Sequence, residues 1–372
     1  MKLSIKKELN SSIISIQARS LFPAVFFVLL IGGLFMANVL YAKNNLPPKS
    51  EEAVESNLLP PNMGLQVRSI DTQIVSKHWD GMDRASIAAQ VRLIKDLNAN
   101  YVAISTPYDR PATLTMWTEE IHKAGLNVWF RSHWLEWEGD EGHESTMTEE
   151  EYLARTKEFI IAHPAIFREN DAFTVCVEPE QIFVAKRANF FDVNRYNQFV
   201  SDQIDVANEA FTNIGLGGKI HTNWVSMNGW VVLNGLKRDT VKKLGVITVD
   251  HYPDQDGPYS SAELAKSLRD DLDLMYNKWR KPIILGEWGY NIKREVPEDE
   301  QRLVVKESLD YLTSAPYLLG INYWAHIGNT SRIIDDTAGK NYELRPAAYV
   351  LKDYFSDAAK KLETKDQKSS PK

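Results

Sequence analysis

Between residues 63 and 357 the chain alternates short apolar runs with longer stretches in which apolar residues recur at helical spacing. Eight runs read as strands: 64–68, 101–105, 126–131, 172–177, 218–221, 246–249, 282–286 and 319–323. Most are apolar continuously rather than at every second position, which is the pattern of strands covered on both faces in a parallel sheet. The stretches between them read as helices. Within 84–98, Ile87, Val91, Ile94 and Leu97 fall on one face, and 198–211, 262–278 and 300–313 are patterned alike. Glu298, Asp299 and Glu300 stand where a helix N-terminus favours negative charge. Eight strand–helix units in about 300 residues predict an α/β fold of the (β/α)8 TIM-barrel type rather than a doubly wound sheet. No Gly-rich phosphate loop follows the first strand, which speaks against a nucleotide-binding fold.

The ends of the chain follow other patterns. Lys2, Lys6, Lys7 and Arg19 precede an uncharged apolar run over 21–42. At about 1.5 Å per residue such a run crosses a hydrocarbon core of about 30 Å, so one transmembrane helix is expected ahead of the barrel. The basic segment 1–20 then stays cytoplasmic and the chain after Lys43 lies outside the membrane. Cleavage after Ala42 as a signal peptide, with secretion, is the competing reading. The length of the run and the bulky Leu40 at the −3 position favour an uncleaved anchor. Residues 43–62, with two Pro-Pro pairs and an acidic stretch, read as an extended linker. Residues 358–372 read as a solvated, unfolded tail. The domain between, 63–357, is expected to carry the chemistry.

Composition narrows the function classes. A net charge of −7 without a basic stripe excludes nucleic acid as an expected partner. The lone cysteine, Cys176, rules out an internal disulfide, and its apolar run Phe173-Thr174-Val175-Cys176-Val177 reads as a buried strand. No HExxH or paired-cysteine pattern appears, so no metal or cofactor is expected. The excess is aromatic: 10 Trp, 15 Tyr and 14 Phe. Such rings stack on the apolar faces of sugars as readily as they fill a core, so Trp134, Trp137, Trp224 and Trp230 carry both readings.

Active sites of TIM barrels lie at the C-terminal ends of the strands. The expected strand ends deliver Arg68 from strand one, and Arg131, His133 and Trp134 from strand three. Strand four delivers Glu178-Pro179-Glu180, and strand five His221, Asn223 and Trp224. Strand six gives Asp250, His251 and Tyr252, strand seven Glu287 and Trp288, and strand eight Trp324 and His326. One ionisable residue after a strand is an ordinary loop residue. Polar and aromatic groups after seven strands describe a site.

The order of these groups resembles clan A of the glycoside hydrolases, which includes cellulases and mannanases. That clan places an acid/base Glu after strand four, usually within Asn-Glu-Pro, and a nucleophile Glu after strand seven. Here Val177-Glu178-Pro179 and Ile284-Leu285-Gly286-Glu287-Trp288-Gly289 stand at those places, and the likeness runs from Gly64 to about Phe355. The resemblance implies a retaining hydrolase of β-linked poly- or oligosaccharides. Glu287 would be the nucleophile and Glu178 the acid/base, provided the carboxyls stand about 5–5.5 Å apart. Sugar contacts are expected from His133, His251, Tyr252 and Trp324, which fit the clan, and from Arg68, Trp134 and Asn223 at the strand ends; the alternatives are that Arg68 and Arg131 pair with structural acids and that His133 and His251 brace the rim. Tyr252 is expected to hydrogen-bond Glu287, Arg68 or Arg131 to hold it ionised, and Trp324 to form the stacking platform. Where the clan has the Asn that contacts the sugar 2-hydroxyl, this chain has Val177, and Glu180 competes with Glu178 for the acid/base role.

Two other functions fit the same strand ends. One is a non-catalytic carbohydrate-binding barrel at the cell surface, which Val177 favours. The other is a metal-dependent amidohydrolase using His133, His221, His251 and Asp250, against which strand one lacks a His-x-His pair. The acidic aromatic loop after strand three reads first as a solvated loop. Its alternatives are a sugar-cleft wall and a weak Ca2+ site through Glu138, Asp140 and Glu141.

Overall fold

The computed structural model describes residues 64–77, 82–135, 147–181, 192–252, 259–290, 295–337 and 341–369. The expected basic segment, membrane run and linker lie outside the described residues, as do Trp137, Glu138, Asp140 and Glu141. No helix among the described residues is long and apolar enough to cross a membrane.

Eight parallel strands form one sheet in the order β4-β3-β2-β1-β8-β7-β6-β5. They are β1 (Val67–Asp71), β2 (Tyr101–Ile104), β3 (Asn127–Phe130), β4 (Ala172–Phe173), β5 (Ser226–Asn228), β6 (Ile247–Asp250), β7 (Ile283–Trp288) and β8 (Leu318–Tyr323). The two edges meet at a parallel bridge between Ala172 and His221. There Phe173 N–H donates to His221 O over 3.0 Å and His221 N–H to Asp171 O over 2.9 Å. The sheet therefore curls into the expected (β/α)8 arrangement.

The helices start where side chains satisfy their orphan amides. Asp83 caps α1 (Arg84–Asp96), and Thr148 caps α3 (Glu149–Ala162), whose first turn is Glu149, Glu150 and Glu151; α2 (Pro111–Lys123) opens on a proline instead. Asp192 caps α4 (Val193–Asn213), and α5 (Arg238–Lys243) follows β5. Ser260 and Glu263 form a capping box on α6 (Ser261–Trp279), and acidic residues open α7 (Glu298–Thr313). A hairpin of β9 (Ile334–Thr337) and β10 (Asn341–Leu344), which the apolar pattern does not announce, precedes α8 (Pro346–Ser369). This last helix runs through most of the stretch expected as an unfolded tail. Ala358 is still buried, and Lys360 pairs with Asp357 one turn back, so apolar burial and charge pairing carry the helix onward.

Alternate residues along each strand face opposite ways. Ile70, Val102, Ile104, Phe130, Phe173, Met227, Val249, Leu285 and Ile321 pack outward in the main core beneath the helices. The inward set differs along the barrel axis. Val67, Tyr101, Ala103, Trp129, Ala172, Trp224, Val246 and Ile284 form a separate apolar plug. One step further toward the strand ends, Ser69, Asp71, Arg131, Ser226, Thr248, Asp250 and Asn322 are all buried. The barrel is thus apolar at its base and polar toward its C-terminal mouth.

Candidate active site

Arg131, which follows β3, is the hub of that polar layer. Its guanidinium donates to Glu287 Oε1 (2.6 Å), Asp250 Oδ2 (3.0 Å) and Ser226 Oγ (2.6 Å), with Nε 3.5 Å from Asp71 Oδ2. Four strands thereby converge on one cation: β1 brings Asp71, β5 Ser226, β6 Asp250 and β7 Glu287. Ser226 Oγ donates on to Asp250 Oδ1 (2.6 Å), and Asn322 of β8 donates to Asp71 Oδ2 (2.7 Å) and to Gly286 O (2.7 Å). Gly286 is required by this crowding. A Cβ there would stand 2.3 Å from Asp250 Oδ1 and 2.7 Å from Ser226 Oγ.

The charges in this layer decide its chemistry. An ionised group removed from water costs several kcal/mol unless paired. One guanidinium cannot hold Asp71, Asp250, Glu287 and the nearby Glu178 and Glu180 all as carboxylates. Burial and the charge of Asp250 push Glu287 up to about 8, against the pull of Arg131 and the Tyr252 hydroxyl. Burial raises Asp71 to about 6, opposed by Arg131 and by the Gln73 amide and Asn322 bonds. For Arg131 itself burial works against the charge, and the carboxylates of Asp250, Glu287 and Asp71 outweigh it, so its pKa is raised.

Glu178 lies in the turn after β4, its backbone at φ 42°. Its N–H donates to Ser226 O (3.1 Å), tying the turn to β5. Burial lifts its pKa well above the usual carboxylate range, and the charges of Asp250, Glu287 and Glu180 lift it further. Glu180 is engaged differently. Its Oε1 accepts from the Asn228 amide (2.5 Å) and its Oε2 from Tyr196 of α4 (3.0 Å), and it is 2% exposed. A carboxyl with both oxygens bound to the scaffold is poorly placed for proton transfer to a substrate, so Glu178 is the stronger acid/base candidate.

Aromatic groups flank the carboxyls. Tyr252 donates to Glu287 Oε2 (2.8 Å), the bond expected from the sequence. Its ring meets Trp324 edge-on at 5.9 Å, and Trp324 Nε1 donates to Gln73 Oε1 (2.9 Å) just past β1. The phenol is thereby fixed on the Glu287 carboxyl, and the indole against the phenol ring.

Four of the expected sugar contacts stand elsewhere. Arg68 is near the base of the barrel, its guanidinium donating to Leu65 O (2.9 Å) and Asn98 O (3.1 Å), because β1 runs on to Asp71. Asn223 is also basal: its amide lies against Gly245, ahead of β6, and the neighbouring Trp224 fills the apolar plug. Strand five continues past both to Asn228. Trp134 packs into the helix layer, donating to Thr156 of α3 (3.0 Å) with its ring 5.4 Å from Tyr108. His251 alternates outward between Asp250 and Tyr252, and its Nε2 lies 3.0 Å from Asp271 of α6, so it braces the strand against the helix. His133 is buried beside the β3 end, where its carbonyl accepts from Tyr108 N–H. Trp288 faces the helix layer against Tyr323.

The amidohydrolase set does not assemble either. His221 stacks on Trp224 at the base, and His251 turns toward Asp271. Among the described residues no group of three or more His, Cys, Asp or Glu is placed to hold a metal ion. The residues that sequence reasoning missed are Asp71, Ser226 and Asn322. Each is a polar residue at an inward position late in a strand, a signal visible once the register is known.

No protein-family model and no curated protein matches the chain. Solved structures do. A β-D-glucuronidase of Dictyoglomus thermophilum superposes with a TM-score of 0.52 at 17% identity, over 79% of this chain and 50% of that one. An uncultured Clostridium sp. β-glucuronidase gives 0.52 at 15%, over 79% and 50%. A Ruminococcus gnavus β-glucuronidase in complex with uronic deoxynojirimycin gives 0.55 at 15%, over 78% and 49%. The chain spans about half the length of these enzymes. The eight parallel strands and these superpositions together give the chain a (β/α)8 barrel fold, shared with these structures.

Proposed function

We propose that this protein is a retaining glycoside hydrolase acting on β-linked poly- or oligosaccharides, with Glu287 as nucleophile and Glu178 as acid/base. The observation that carries the reading is the hydrogen bonding of Glu287. Glu287 is oriented by Arg131 and Tyr252, one donor on each oxygen. Glu178, in the same polar mouth, is held toward its protonated form by burial and by negative neighbours. Burial raises both carboxyls, but the directed donors on Glu287 orient it for attack, while a raised pKa suits Glu178 to give a proton.

In the first step Glu287 attacks the anomeric carbon as the glycosidic C–O bond breaks, and the Glu178 proton passes to the leaving oxygen. A glycosyl ester on Glu287 results. Water then adds at the same carbon, gives its proton to Glu178 and releases Glu287 as a carboxylate. Trp324 offers the stacking face for the sugar, Tyr252 turns its hydroxyl toward Glu287, and His133 stands nearby at the β3 end. The run 21–42 would tether the enzyme so that this reaction takes place outside the membrane.

Hydrolysis of a panel of plant and bacterial β-glycans by the full chain in detergent tests the reading, beside Glu287→Gln. Loss of product release by several orders of magnitude in a variant with unchanged circular dichroism is expected. Retained hydrolysis would remove Glu287 from the mechanism. Val177, standing where the clan has Asn, favours the second reading, a non-catalytic carbohydrate-binding barrel. Glycan binding with no release by the wild type would select it.

A further inference from the structure

The turn that carries Glu178, itself half-buried, holds a second carboxyl, Glu180, that is fully buried. Glu178 sits at φ 42°, a left-handed conformation that is costly for a non-glycine residue. Such a residue persists only where its surroundings over-determine it. Two backbone bonds contribute: Glu178 N–H to Ser226 O (3.1 Å), and Gln181 N–H to Glu178 O (2.9 Å). On the upstream side Tyr152 donates to Val175 O (2.7 Å), and the Cys176 amide donates to Gln203 (3.1 Å). Downstream, the anchor is the Glu180 side chain. It reaches the Asn228 amide at the end of β5 and the Tyr196 hydroxyl on α4. Asn228 in turn caps the short helix Gly229–Asn234 by accepting from Val231 N–H (3.0 Å). A buried carboxyl is a costly way to fill space that an apolar side chain would fill at lower cost. What it provides here is two directed bonds to two different elements.

We propose that Glu180 is a positioning residue, whose carboxyl clamps the strand-four turn to β5 and α4 and so fixes the backbone from which the Glu178 carboxyl acts. This rests on Glu178 being the acid/base. A clamp acting through the acid/base makes a specific demand on kinetics. Its loss must hurt substrates that need a proton on the leaving group far more than substrates that do not.

The test uses the full chain and aryl β-glycosides of graded leaving-group acidity, built on whichever sugar the wild type hydrolyses. Glu180→Ala should slow the poor leaving groups at least about tenfold more than the activated ones, reproducing the leaving-group slope of Glu178→Ala. Glu180→Gln should recover most of the rate, since its amide oxygen can still accept from Asn228 and its nitrogen can donate to Tyr196. Tyr196→Phe removes only one of the bonds and should give a smaller change in the same slope. It covers the case in which the alanine variant does not fold. Equal losses on all leaving groups would overturn the proposal, as would an unchanged slope in both Glu180→Ala and Tyr196→Phe. If the wild type hydrolyses none of the glycosides, the glycosidase reading has failed and the clamp is judged by crystallography. A Glu178 that leaves its positive φ in Glu180→Ala supports it, and an unmoved Glu178 overturns it.

Discussion

At the scale of single residues the site is governed by a shortage of positive charge. Arg131 serves Asp71, Asp250 and Glu287 together, and the surplus of carboxyls is met by raised pKa values rather than by more cations. This gives the reaction a pH signature. The proposed nucleophile works ionised, so the acidic limb of kcat/KM should lie well above the ordinary carboxylate range, toward the value of about 8 to which burial and Asp250 push Glu287. Asp250→Asn removes a negative neighbour while leaving one acceptor for Arg131. The ionised form of Glu287 is then less disfavoured, its pKa falls, and the acidic limb should move to lower pH. A pH–rate profile of wild type and variant checks this, and a limb that stays put or moves up would contradict the account. The same scale shows what a sequence can carry. Glu178, Tyr252, Glu287 and Trp324 were identifiable because each follows an apolar run of clear identity. Asp71 was not, since Ser69 and Asp71 make the end of β1 look like a loop.

At the scale of elements the decisive quantity is register. Strand one was expected over 64–68 and runs over Val67–Asp71, and strand five was expected over 218–221 and pairs with β6 over Ser226–Asn228. Both shifts have one cause. The late, inward positions of the strands are polar because they build the site, so hydrophobicity fades where function begins. A reading by apolar runs then ends the strand early and assigns basal residues such as Arg68 and Asn223 to the mouth. Strands six, seven and eight kept enough apolar length to be placed within a residue or two. The β6–β7 pairing depends on Gly286. Gly286→Ala would force its methyl onto Asp250 and Ser226, both ligands of Arg131. The expected loss is about 1–3 kcal/mol in denaturant unfolding together with a fall in kcat, because overpacking here displaces the charge network itself. A variant as stable and active as wild type would show that the layer is not tightly packed.

At the scale of the whole molecule, the alternation of strands and helices was sufficient to specify the barrel, because the fold depends on many weak periodic signals that need only be right on average. The hairpin of β9 and β10 and the extension of α8 to Ser369 were not legible, since each rests on tertiary contacts rather than on a long apolar run. The fold alone does not choose a reaction, as many chemistries use it. The proposed glycoside cleavage by double displacement rests on the donors that orient Glu287 and on the raised pKa of Glu178. Proton NMR of the reducing end released from a β-linked substrate tests that claim most directly, in the first minutes before mutarotation. The account predicts that the β-anomer appears first and the α-anomer only as equilibrium is approached. First appearance of the α-anomer would mean direct displacement by water and would contradict the assignment of Glu287 as nucleophile.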